Sequence, residues 1–245
     1  MDFTVEVERS LRVLDGAVAL LDSSQGVEPQ TETVWRQADK YGVPRIIFAN
    51  KMDKLGADFY MSVESIASRI TDKAVVLQLP VGQADEFTAI IDLLTMKMYS
   101  FEGDHGIDTI EHEIPADMME KVKKYKEEML DKLSLFDDEL AEKFLAGEEI
   151  SIEIIKRAVR HGTIHNNLYP VLCGSALGNK GVQQMLDAVI DYLPCPLDRG
   201  SMKGLDPDDE NIILERKNLG LEDYELVTNI KEAMDRDNAR GSDIV

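Results

Sequence analysis

Asn50-Lys51-Met52-Asp53 is the stretch of this chain best suited to chemistry. The Asp53 carboxylate can accept two hydrogen bonds side by side, which matches the N1–H and exocyclic amino group of guanine; adenine shows no such pair of donors on that edge. Lys51 can lay its apolar stem along a base or ribose, and the Asn50 amide can tie the loop to neighbouring backbone. A second stretch, Gly174-Ser175-Ala176-Leu177, begins with small residues whose backbone N–H groups can come close to a ligand oxygen. Each stretch taken alone is also an ordinary turn composition.

Both stretches follow short apolar runs. Arg45-Ile46-Ile47-Phe48-Ala49 and Tyr169-Pro170-Val171-Leu172-Cys173 read as buried parallel strands, so the candidate loops fall at strand C-termini, where open α/β sheets bind their ligands. Two such loops would hold one base between them. Val5 to Leu14 suits a helix with Val7, Leu11 and Leu14 on one side, and Ala17 to Leu21 suits a first buried strand. Pro29 opens a helix with Val34, Ala38 and Tyr41 on one face, stopped by Gly42 and Pro44, which completes a βαβ unit with Arg45 to Ala49. Gly181 opens an amphipathic helix carrying Val182, Met185, Leu186, Val189, Ile190 and Leu193, ended by Pro194 and Pro196.

Roughly 120 residues separate Asp53 from Ser175, far more than one crossover requires. An inserted subdomain is therefore expected. After a helix from Asp58 to Ile70, Ala74 to Val81 and Phe87 to Asp92 read as strands, and Gly103-Asp104-His105-Gly106 as a turn. Three helices follow: one with Met118, Val122, Tyr125, Met129 and Leu133; one with Leu140 and Phe144, ending at Gly147; and one from Ser151 with Ile152, Ile155 and Val159. The face bearing Glu120, Lys123, Lys124, Glu127 and Glu128 reads as solvated surface.

The 245 residues, 44% hydrophobic, suffice for one sizeable core or a core with a satellite. The formal charge of −20 argues against broad contact with nucleic-acid phosphates, which needs clustered Lys and Arg. No run approaches the roughly 18 apolar residues of a membrane span, and Met1-Asp2-Phe3-Thr4 does not open a leader sequence, so a cytoplasmic location without membrane contact is expected. Two cysteines make no disulfide framework. His161 and His165 precede Cys173 and Cys195, but with no C-x₂-C pair and with Gly162 expected to interrupt the helix, they predict no metal site.

The words around the candidate loops carry a resemblance. Glu6 to Ala17, Gly26 to Thr33, and Asn50 to Phe59 in the order N-K-M-D-K-L-G-A-D-F closely resemble bacterial elongation factor G, over roughly residues 2 to 205. The resemblance implies a guanine-nucleotide-binding factor for GTP-dependent ribosomal translocation, with Asn50, Lys51, Met52, Asp53, Ser175, Ala176 and Leu177 at the nucleotide. It also implies a ribosomal partner, with the insert approaching the stalk protein. The expected fold class is α/β: an incomplete doubly wound P-loop-NTPase-type sheet with an inserted α+β subdomain. The expected division is a GTPase domain in two parts, 1–70 and 168–205, around the insert, 71–167, with a polar tail, 206–245, and a short helix near 222–237.

Residues 1–245 contain no G-x-x-x-x-G-K-[ST]. Asp2-Phe3-Thr4 look like the residues that follow the family's D-x-P-G-H motif, and the switch threonine is likewise not among these residues. No catalytic residue is therefore assigned, the Mg²⁺ ligands of the intact family are not found, and GTP or GDP is expected to bind only weakly. An open apolar sheet edge, with marginal stability or association through it, is expected too. The alternative reading is a non-catalytic module that binds the ribosomal stalk through the insert.

Overall fold

In a computed structural model of the chain, the described residues are 4–103, 106–195, 197–198, 202–205 and 213–216. They fall into two units, Met1–Leu193 and Pro194–Val245.

The first unit is built on a parallel sheet. β1 (Ala17–Asp22) lies beside β2 (Arg45–Asn50) in register from Ala17 opposite Arg45 to Asp22 opposite Asn50, and α2 (Pro29–Lys40) makes the crossover between them. α1 (Thr4–Leu11) precedes this βαβ unit, and Leu11 packs in a small cluster with Ala38 and Val43. β2 continues to β8 (Tyr169–Cys173), and β8 to β3 (Ala74–Val76), giving the order β1-β2-β8-β3. β2 and β8 are almost wholly buried because both faces are covered.

The buried face of α2 differs from the expected stripe. Trp35 and Ala38 point inward while Val34 stays 37% exposed. The larger indole wins the interior, meeting Tyr169 edge-on at 4.8 Å and lying under the Arg45 guanidinium at 4.0 Å. Arg45, inside a run read as apolar, is buried and donates to Trp35 O (2.9 Å), to the Tyr169 hydroxyl (3.0 Å) and to Asp39.

The run Ala74–Val81, expected as one strand, is two. β3 ends at Val76, and β4 (Gln78–Val81) opens a second, antiparallel sheet of order β4-β5-β6-β7, with β5 (Ala89–Asp92), β6 (Lys97–Glu102) and β7 (Asp108–His112). The division falls at Leu77. Its N–H donates to Val171 O in the parallel sheet, and its carbonyl accepts from Leu93 N beside the antiparallel one, both at 3.0 Å. β6 and β7 are half-exposed or exposed along their lengths, so they carry little of the apolar alternation that marks a strand in sequence. Asp104 and His105 of the expected turn lie outside the described residues.

α3 (Phe59–Arg69) starts at Asp58, whose carboxylate accepts from Met61 N at 3.0 Å. The three insert helices are present: α4 (Met119–Leu133), α5 (Asp138–Ala146) and α6 (Ile152–Ile164). α5 is capped by Asp137 and closes on Gly147 in the left-handed conformation, φ 69°. Asp137 and Glu139 both receive the Arg157 guanidinium. Gly162 does not interrupt α6. It faces Leu168, whose side chain occupies the space a Cβ would need. His161 and His165 stack at 4.5 Å, and among the described residues no group of three or more His, Cys, Asp or Glu side chains could hold a metal ion.

α7 (Val182–Tyr192) buries Ala188 and Tyr192, whereas Leu186 and Ile190 of the expected stripe face outward. The apolar stripe is wider than the surface that covers it. At the sheet's edge, β1 leaves Leu20 59% exposed. A single buried cluster otherwise runs from Ile46 and Phe48 through Leu172 to Ile90, Val122 and Ile155, so the insert shares one core with the parallel sheet.

In the second unit, β9 (Met202–Leu205) and β10 (Ile213–Arg216) form an antiparallel pair. β10 lies where a polar tail was expected, and the expected helix near 222–237 falls outside the described residues. Among the described residues, no helix is long and apolar enough to cross a membrane.

Gly162→Ala separates packing from propensity. Alanine in an open helix gains about 1 kcal/mol over glycine, but here the methyl meets Leu168. A net loss of about 1–3 kcal/mol in unfolding free energy is expected, measured by urea titration.

Candidate functional site

The C-terminal ends of β1, β2 and β8 converge, and the residues just past them form the site. Ala49 sits opposite Cys173, so the two candidate loops leave the sheet side by side. Three interactions join them. Gly174 N donates to Ala49 O at 3.0 Å, Met52 N donates to Gly174 O at 3.1 Å, and the Asn50 side-chain oxygen accepts from Lys51 N (2.7 Å) and Ala176 N (2.9 Å). One amide oxygen thus serves a donor from each loop, which sets their separation.

Asp53 is half-buried, and among the described residues its carboxylate makes no hydrogen bond or ion pair. Across from it lies Gly178, where a Cβ would come within 3.6 Å of the Asp53 Oδ2. Ser175 is buried, and its hydroxyl accepts from Gly178 N at 3.1 Å, so it shapes the loop from within. Ala176 is exposed, and Leu177 is 94% exposed. The Asp53 carboxylate thus lies beside the loop of residues 174–178 with both oxygens able to accept hydrogen bonds.

Met52 has a different part from its neighbours. Its side chain is in the core, its N–H is bound to Gly174, and its carbonyl accepts from Ala84 N at 2.8 Å. Of the four residues in this stretch, it is the anchor. Lys51 has φ 62°, and its ammonium is directed at Asp22 Oδ2 (3.0 Å), to which Lys54 also donates at 3.0 Å.

No motif in the sequence singles out Asp22, although a strand Ala17–Asp22 ending in Asp at the level of Asn50 is a legible signal once the pairing is known. Its other oxygen accepts from Ser24 N (2.9 Å) and the Ser24 hydroxyl (2.6 Å). Burial alone would raise its pKa. The hydrogen bonds from Ser24 and from Lys54 and Lys51 outweigh that and hold the carboxyl well below its ordinary value of 3.8. The folded state therefore binds this proton less readily than the unfolded chain. The stabilisation is present above about pH 4 and is lost as pH falls further. Asp22→Asn is expected to be less stable than the parent at pH 7, with the gap closing below about pH 4 in urea titrations at stepped pH.

The family model described as the elongation factor Tu GTP binding domain matches residues 1–195. A protein of Thermus thermophilus, known from its crystal structure, is similar with a TM-score of 0.71 at 28% sequence identity, over 84% of this chain and 32% of that one. The chain thus spans about a third of that protein's length. Its α/β fold, with the parallel sheet and the two loops past β2 and β8, is that of a P-loop-NTPase-type GTP-binding domain. From the extent of the family match, the chain belongs to the elongation factor Tu GTP binding domain family.

Proposed function

We propose that this chain is guanine-nucleotide-binding sequence of an elongation factor G-type translation factor, acting with the ribosome in GTP-dependent translocation in the cytoplasm. The single observation that carries the reading is the unengaged Asp53 carboxylate facing the loop of residues 174–178, with Asn50 tying the two loops together. Asp53 accepts from guanine N1–H and the amino group. Lys51 covers the base once released from Asp22, and of the second loop's backbone donors the Leu177 N–H is left for the carbonyl edge, since those of Ser175 and Ala176 are given to Lys180 O and Asn50 Oδ1. Met52 and the Ser175 hydroxyl hold the loops in place.

The proposed division keeps residues 1–70 and 168–205 as the nucleotide-binding body, 71–167 as the insert and 206–245 as a tail. β3 still runs in the parallel sheet before the insert's own sheet begins at Gln78. The residues present suit a guanine base. Among the described residues no group of three or more His, Cys, Asp or Glu side chains could hold a metal ion, and we assign none of them to Mg²⁺. Nor do residues 1–245 include the glycine-rich loop that cradles β- and γ-phosphates. We therefore assign these residues base recognition with a Kd of ~0.1 mM or weaker, and no hydrolysis of their own.

A second reading is favoured by the insert's surface. A groove of about 720 Å³ is lined by Leu94, Met96, Leu130 and Phe144 together with Lys123 and Lys126, and Leu145 on α5 is exposed. Such a surface suits docking of a ribosomal stalk protein without any need for nucleotide.

Calorimetric titration distinguishes the two. The parent is expected to bind GDP weakly and Asp53→Asn to exchange that preference for XDP, because an Asn amide can donate to the xanthine carbonyl. Absence of both signals in a sample folded by circular dichroism would remove the base-site reading. Stalk-protein capture that survives Asp53→Ala but is lost on deleting 115–162 would establish the second. No phosphate release from GTP above background is expected from residues 1–245.

A further inference from the structure

We propose that Lys180 is a positioning residue that braces both base-reading loops against one turn of the insert; this rests on the base-site reading above. The turn is the segment from Gly82 to Phe87 between β4 and β5, including a short 3-10 turn, Ala84–Glu86. It touches each loop once. Ala84 N donates to Met52 O at 2.8 Å, and Lys180 Nζ, just past the second loop, donates to Phe87 O at 2.7 Å. Lys180 is itself locked to the second loop by a pair of backbone hydrogen bonds with Ser175, both 2.9 Å. The ammonium also lies 5.6 Å from the centroid of the buried Phe87 ring, so the aromatic face helps to hold it. Residues more than 90 positions apart in the chain are joined through six residues of the insert.

Close approach on both sides of this junction supports the assignment. A Cβ at Gly82 would collide with Glu86 O, and one at Gly181 would collide with Ile90 on β5. A Cβ at Gly106, at the base of β7, would lie 3.0 Å from Gly178 O, and Gly106 O accepts from Gln183 Nε2 at 3.4 Å. The backbone is strained in the same place. Five non-glycine residues have positive φ among the described residues, and three of them are here: Lys51 at 62°, Ala84 at 52° and Asn179 at 51°. Such conformations persist where surrounding contacts over-determine them. A surface turn that merely links two strands has no such need. The bond from Lys180 to Phe87 O supplies a charged donor to a carbonyl at the point where both loops and the insert meet, and charge-assisted bonds are the stronger kind.

Lys180→Met keeps the side-chain stem and removes the donor. Amide hydrogen exchange, followed by mass spectrometry, reads the loops whether or not nucleotide binds. Exchange in peptides covering 49–57, 82–88 and 174–181 is expected to rise about tenfold, with β1 and the buried part of β2 unchanged, and Lys180→Arg is expected to restore most of the protection. In parallel calorimetry, discrimination of GDP over IDP, which lacks the 2-amino group, is expected to fall about threefold or more. Unchanged exchange at 49–57 would overturn the proposal. So would a uniform rise across β1, β2 and both loops, which is the signature of lost stability without positioning. Failure of the Asp53→Asn exchange to XDP would instead remove the base-site reading, leaving the exchange result to decide the brace by itself.

Discussion

The pairing of β2 with β8 is the contact on which the rest depends. It joins segments more than 100 residues apart and closes the intervening chain into a loop, whose entropic cost grows only slowly with length. That slow growth is what allows a whole subdomain to sit between two neighbouring strands. The pairing also places Asn50 and Gly174 next to each other at the same edge of the sheet, and without it the two candidate loops have no fixed relation. Leu77 then decides how the insert departs, because one backbone group belongs to each sheet and the two sheets are held to one core.

Within the site, polar groups are shared sparingly. Asn50 contributes one oxygen to two donors, Asp22 gathers two lysines and a serine, and Ser175 turns its hydroxyl inward. The residue left without an intramolecular partner among the described residues is Asp53. A half-buried carboxylate without an intramolecular partner keeps its accepting capacity for water or for a donor from outside the chain.

Much of the architecture could be read from residue order. The βαβ unit, α3, the three insert helices and α7 follow from period-3.6 stripes, Asp and Pro starts and Gly stops, signals local enough to survive without tertiary context. The strands β6 and β7 escaped because their half-exposed sequences lack alternation, and the division of Ala74–Val81 escaped because Leu77 has the same apolar character as its neighbours. Trp35 displaced Val34 at the α2 interface because area and stacking outweigh helical phase.

The site divides in the same way. Residue types alone determined that Asn50, Asp53 and the Ser175–Leu177 segment could recognise a base, since carboxylate, amide and small-residue backbone each have a definite hydrogen-bonding repertoire. The surrounding words placed the chain near a translation-factor family. Only the tertiary structure decided which of these groups face outward: Met52 is buried, Lys51 turns to Asp22, and Lys180 reaches the insert. Direction and partnership depend on which distant strands become neighbours, and no local pattern in the chain encodes that.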